Sequence, residues 1–80
     1  MKTVQVQYFA ILREQRGAAQ EELATNAATP AELYAELQAR HGFSLPGDRV
    51  RAAINDEFAA ATAALHSGDR VVFIPPVAGG

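Results

Sequence analysis

The chain has 80 residues, enough for one domain, and a domain of that size hides only about 60% of the surface its unfolded chain exposes. It has no cysteine, so no disulfide holds it, and its large apolar residues suffice for one compact core but not for a deep substrate cavity as well. The formal net charge is -2 and the basic residues are scattered, with Arg13 near Arg16 and Arg49 near Arg51 but no basic run, which argues against nucleic-acid binding; no apolar stretch approaches membrane-spanning length.

The opening residues read as a strand. Val4, Val6 and Tyr8 alternate with Gln5, Gln7 and Phe9, and this period of two places the first three on an inner face. A strand pattern at this point is not a signal peptide, which points to the cytosol. Gly17 marks a turn, and Gln20 to Ala24 alternate weakly as a second strand returning antiparallel. Thr29-Pro30-Ala31-Glu32 then has the form of a helix start: N-cap, proline at the first helical position, and a glutamate positioned to reach back to the Thr29 amide. Leu33 and Leu37 share one face of this helix, Glu36 and Arg40 pair one turn apart, and Gly42 supplies the left-handed stop. A loop follows from Phe43 to Asp48. Arg51 to Asn55 is a short strand, turned by Asn55-Asp56-Glu57 toward a possible further one. Leu65 to Asp69 is a turn, and Arg70 to Ile74 a β-branched and aromatic last strand that Pro75-Pro76 terminates. The core falls to Val4, Val6, Leu12, Leu23, Leu33, Leu37, Ile54, Leu65, Val71 and Phe73.

The order β-β-α-β-(β)-β predicts an α+β fold. The first and last strands lie side by side within a mixed sheet and one main helix packs across one face, the β-grasp layout of ubiquitin. A single domain spans residues 1–80, with 75–80 projecting as a tail. Two terminal glycines arise by chance in roughly one chain in two hundred, so the pair alone decides little. Its setting says more: a strong strand, a rigid Pro-Pro and then Val77-Ala78-Gly79-Gly80. Fully extended, the residues after Ile74 reach about 20 Å. A segment without side chains can bring its backbone close to a reacting centre in a narrow channel. A free carboxylate is a poor electrophile and becomes reactive only as an acyl-adenylate made with ATP; a sulfur donor can then replace AMP and leave a thiocarboxylate. The chain itself needs no acid, base or metal for this, because a partner enzyme supplies positioning and electrostatic stabilisation.

Three stretches carry a family resemblance: Phe9-Ala10-Ile11-Leu12-Arg13-Glu14, Ala53-Ile54-Asn55, and Gly68 through Gly80 with its Pro-Pro-Val-x-Gly-Gly ending. On these the chain resembles the small subunit of molybdopterin synthase, the MoaD family of ubiquitin-like sulfur carriers. The resemblance implies that an E1-like enzyme adenylates Gly80 at the expense of ATP, and that a sulfur donor converts it to a thiocarboxylate. The carrier then docks on the large, catalytic subunit of molybdopterin synthase, as part of a heterotetramer, and delivers sulfur to precursor Z. Gly79, Ala78 and Val77 enter the partner with Gly80, and the chain binds no cofactor of its own. The alternatives are a thiamine-type sulfur carrier, a ubiquitin-like modifier joined to lysine amines, and a β-grasp binding module with an inert tail.

Other candidate residues carry little chemistry. His41 stands at a helix end and His66 in a turn, neither with a second ligand at metal spacing. Arg13-Glu14 reads equally as a functional patch or a solvated loop. Strand parity makes one more prediction. If Val71 and Phe73 point inward, Val72 and Ile74 point out; parallel first and last strands then put Phe9 and Ile74 at one end of the sheet. Phe58 completes an exposed apolar cluster there, expected to grip the large subunit.

Overall fold

The computed structural model describes residues 1–76. Strand β1 (Lys2–Tyr8) buries Val4, Val6 and Tyr8, as its alternation requires. β2 (Gln20–Thr25) returns antiparallel beside it, with Val4 opposite Leu23. The last strand, β5 (Arg70–Ile74), lies parallel to β1 with Val6 opposite Val71 and Tyr8 opposite Phe73. β3 (Arg51–Ile54) runs antiparallel to β5, and β4 (Glu57–Ala59) to β3. The sheet order is β2-β1-β5-β3-β4, a mixed sheet with the first and last strands inside it: the β-grasp fold.

Two helices accompany the sheet. α1 (Ala10–Arg16) is not among the elements that the sequence pattern predicts between the first strand and the Gly17 turn. Seven residues are too few for periodicity to declare a helix or for an isolated one to persist. Tertiary contacts hold it: Leu12 is fully buried, Gly17 closes it in the left-handed conformation, and Gln15 exchanges two hydrogen bonds with Ser44. α2 (Pro30–His41) packs Leu33, Tyr34 and Leu37 into the core. Its Thr29 hydroxyl accepts from the Glu32 amide at 3.2 Å. The reciprocal contact differs from expectation, because the Glu32 carboxylate accepts from the Thr29 hydroxyl rather than from the Thr29 amide. Glu36 pairs with Arg40 as the spacing predicts, and also accepts from Thr25. The Thr25 oxygen in turn accepts from the Ala27 amide, so this buried hydroxyl is satisfied and ties β2 to the helix.

Nine of the ten expected core residues are buried, while Ile54 is partly exposed and packs against the edge of the cluster. Phe43, read as loop, is core: it stacks on Tyr34 and meets Tyr8 and His41 edge-on or tilted. A hydrophobic residue directly after a glycine helix stop packs back on the helix, a signal the sequence does contain. Val72 faces away from the core as parity demands, yet is almost fully buried, between Gln7 and Ala53 in the neighbouring strands.

Candidate functional site

Parallel pairing of β1 with β5 brings both strand ends to one edge of the sheet. β1 gives way to Phe9, whose extended backbone starts α1 and whose carbonyl accepts from the Leu12 and Arg13 amides. Ala10 takes a positive φ of 51°, which bends the chain away immediately after the phenylalanine. β5 ends at Ile74 and continues into Pro75 and Pro76. Antiparallel pairing sets Arg51 opposite Ile74, and the next hairpin sets Phe58 opposite Ala53, on the face away from the core.

The side chains meet in a groove of about 440 Å³ lined by Asp48, Arg49, Arg51, Phe58, Ile74, Pro75 and Pro76. Its far wall is positioned from α2. The Tyr34 hydroxyl donates to the Leu45 carbonyl at 2.7 Å, and the Gln38 amide donates to the carbonyls of Phe43 and Leu45. A 3-10 turn over Gly47–Arg49 follows from that clamped loop and presents Asp48 and Arg49. Across the groove the Arg51 guanidinium lies over the Phe58 ring, 5.9 Å from its centroid.

Of the three residues predicted to form an apolar cluster, the structure joins Phe58 and Ile74 in this groove. Phe9 reaches the same sheet edge on the other side of β5 and is not part of the lining. Phe58 is 71% exposed and Phe9 44%, so no loop of the described chain covers either one. Sequence reasoning missed Asp48, Arg49 and Arg51 as groove residues, because only strand register shows that Arg51 faces Ile74. Val77, Ala78, Gly79 and Gly80 lie outside the described residues.

Other motifs prove architectural. Asn55 and Asp56 make the β3–β4 turn with positive φ. The Asn55 side chain donates to Asp69 and accepts from the Arg70 amide, locking that turn to the start of β5. Asp69 also accepts from the His66 amide, which holds its carboxyl below the usual carboxylate range. A second polar cluster joins β1, α1 and β2. Glu21 accepts from Arg16 at 2.8 and 3.0 Å and from the Tyr8 hydroxyl at 2.6 Å, and lies 3.7 Å from His41. The Arg16 hydrogen bonds bring the Glu21 carboxyl down to about 2, against the opposing effect of burial. Burial pushes Tyr8 up, reinforced by Glu21, and burial pushes His41 down. Arg13 and Glu14 stand exposed on α1. Among the described residues no three His, Cys, Asp or Glu side chains converge as a metal site, and no helix is long and apolar enough to cross a membrane. Among the residues lining the groove Asp48 is the one group suited to acid–base work, and the rest are a mixture of apolar and arginine side chains.

The model of the ThiS family matches residues 6–80. Among solved structures, a putative molybdopterin converting factor, subunit 1, from Pyrococcus furiosus is 29% identical; the match covers 96% of this chain and 100% of that one, with a TM-score of 0.77. SAMP1 from Haloferax volcanii is 27% identical over 98% of this chain and 99% of its own, also with a TM-score of 0.77. A chain from the protein–protein complex of subunits 1 and 2 of molybdopterin-converting factor from Helicobacter pylori is 26% identical over 98% and 99% of the two chains, with a TM-score of 0.65. No curated protein matches the chain.

Proposed function

The chain belongs to the ThiS family, as a ubiquitin-like sulfur carrier of the MoaD/ThiS type, and from that membership we propose that it carries sulfur for molybdenum cofactor biosynthesis on Gly80. The observation that carries this reading is the setting of β5. Its last residue, Ile74, ends in an exposed apolar groove, and the chain goes on through Pro75-Pro76 to Val77-Ala78-Gly79-Gly80. Similarity to a molybdopterin converting factor subunit 1, and to a chain from a complex of subunits 1 and 2, favours a large catalytic subunit as the partner.

In this reading the Gly80 carboxylate attacks the α-phosphate of ATP in an E1-like enzyme and pyrophosphate leaves. A sulfide-level sulfur nucleophile from a donor then attacks the acyl carbon and AMP leaves. The resulting thiocarboxylate enters the large subunit of molybdopterin synthase with Val77, Ala78 and Gly79, while Phe9, Phe58 and Ile74 hold the carrier body in place. The enzyme partners supply the catalytic groups, and this chain supplies a positioned acyl end. Similarity to SAMP1, a small archaeal modifier protein, favours one second reading, a modifier whose activated glycine is joined to lysine.

Deleting Gly80, or appending a residue after it, is expected to abolish sulfur delivery and to leave the fold intact, since the core cluster is built from residues 4–73. Molybdopterin formed at the wild-type rate with either variant removes the carrier reading. Mass spectrometry of protein from its own cells separates the two readings. A gain of about 16 Da from exchange of O for S marks a carrier, and lysine-linked conjugates mark a modifier.

A further inference from the structure

We propose that the groove beside Ile74 recognises an acidic segment of the partner protein, with Arg49 and Arg51 as its charged contacts. The proposal rests on the carrier reading above and assigns that docking surface a partner chemistry. The chain has seven lysine and arginine residues. Four are engaged: Lys2 donates to the Ala27 carbonyl, and Arg16, Arg40 and Arg70 pair with Glu21, Glu36 and Asp56. Among the described residues, Arg13, Arg49 and Arg51 have no carboxylate at ion-pairing distance. Arg49 and Arg51 line the same groove, where Asp48 is the single acid. Two cations less one anion leave the groove at +1, in a chain whose formal net charge is -2.

A solvated arginine on a convex surface calls for no partner, but this pair is set differently. Arg51 lies over the Phe58 ring, which restrains the guanidinium plane and leaves N–H edges for a bidentate carboxylate. The apolar neighbours Phe58, Ile74, Pro75 and Pro76 exclude water once a partner covers them, and ion pairs strengthen as water leaves. Any protein that takes up the residues following Pro76 must approach this groove. A tail held extended in a partner sets Gly80, six residues beyond Ile74, up to about 20 Å from the groove and so sets the groove apart from the nucleotide phosphate at the reacting carboxylate. With the tail so engaged, the cations face the rim of the partner's entry channel rather than its chemical centre, and a rim that complements them carries Asp or Glu.

The test is calorimetric titration of the full-length carrier into the molybdopterin synthase large subunit of the same organism, at low and high salt. Wild type is expected to lose about tenfold in affinity from low to high salt. The double variant R49E/R51E loses at least about tenfold at low salt and recovers part of that loss as salt screens the repulsion, while R49K/R51K keeps the wild-type salt dependence but binds more weakly, because lysine cannot make the stacked, bidentate contact. Unchanged thermal melts establish that the variants are folded, and R49Q/R51Q replaces the reversal if it is not. Salt-independent binding of wild type, or low-salt affinity of the reversal within about twofold of wild type, overturns the proposal while leaving the carrier reading standing. An equal loss for the reversal at both salts also overturns it, since the defect is then not one of charge. If wild type does not bind the large subunit at all, the carrier reading for this partner fails first and the proposal falls with it.

Discussion

Glu21 shows how one residue can be decided by its neighbours. In sequence it is one of two adjacent glutamates in a weakly alternating stretch. In the structure it receives Arg16 and Tyr8 and approaches His41, and its carboxyl falls to about 2 from an ordinary 4.5. A depressed carboxyl means that, between those values, the unfolded chain binds a proton that the folded chain does not. Stability from the Glu21 carboxyl is therefore complete above pH 4.5 and is lost as pH falls toward about 2. His41 adds in the same direction: burial depresses it, so protonation below its ordinary value of 6.5 favours the unfolded chain. Glu21→Gln is expected to destabilise the protein by about 1–3 kcal/mol at neutral pH, because hydrogen bonds to a charged group are lost. It also flattens the stability profile between pH 4.5 and 2, which chemical denaturation across that range measures. An unchanged acid limb in the variant assigns the acid sensitivity to other carboxylates.

At the scale of an element, α2 and α1 contrast. α2 carries its own boundaries: Thr29 caps it, Pro30 opens it and Gly42 closes it at a φ of 71°. Thr29→Ala removes the acceptor for the Glu32 amide and is expected to cost about 1 kcal/mol, read as a lower melting temperature with sulfur transfer unaffected at moderate temperature. A melting curve superimposed on wild type shows that the cap contributes nothing. α1 has the composition of a helix, Ala-Ile-Leu-Arg-Glu-Gln-Arg followed by glycine, but is too short to stand without Leu12 in the core and Gln15 on Ser44. Its formation depends on a loop about 29 residues further along the chain, a dependence that no local pattern records.

Across the whole molecule, β-grasp pairing is what turns separate residues into a surface. Phe58 comes from a hairpin, Ile74 from the last strand and Arg51 from the strand between them, and they meet only because β5 accepts β1 on one side and β3 on the other. Phe58→Ala and Ile74→Ala are each expected to weaken complex formation with the large subunit by about 1–3 kcal/mol, the range of a buried interface anchor. Phe9→Ala tests the neighbouring side of β5 in the same way. Phe58 is 71% exposed, so its truncation should leave carrier stability unchanged. Calorimetry and thermal melts decide together: unchanged binding with a sharp fall in melting temperature makes these residues structural and moves the docking surface elsewhere.

Local physical chemistry made much of this protein legible before any coordinates. Alternation determined which sides of β1 and β5 face the core, capping chemistry determined α2, and three short stretches, the run from Gly68 to Gly80 chief among them, carried the family resemblance. These features depend on residues within one or two turns of each other, where side-chain direction follows directly from spacing. Tertiary structure alone decided the rest. Asn55 and Asp69 read as ordinary turn residues until their side chains join two distant turns. Phe43 follows the glycine helix stop, a local hint of packing, but its aromatic partners Tyr8, Tyr34 and His41 come together only in the fold. The separate pair Arg49 and Arg51 becomes part of a groove only through the register that sets Arg51 against Ile74. Register and helix placement are settled by burial summed over the whole core, a quantity that no short window of sequence contains.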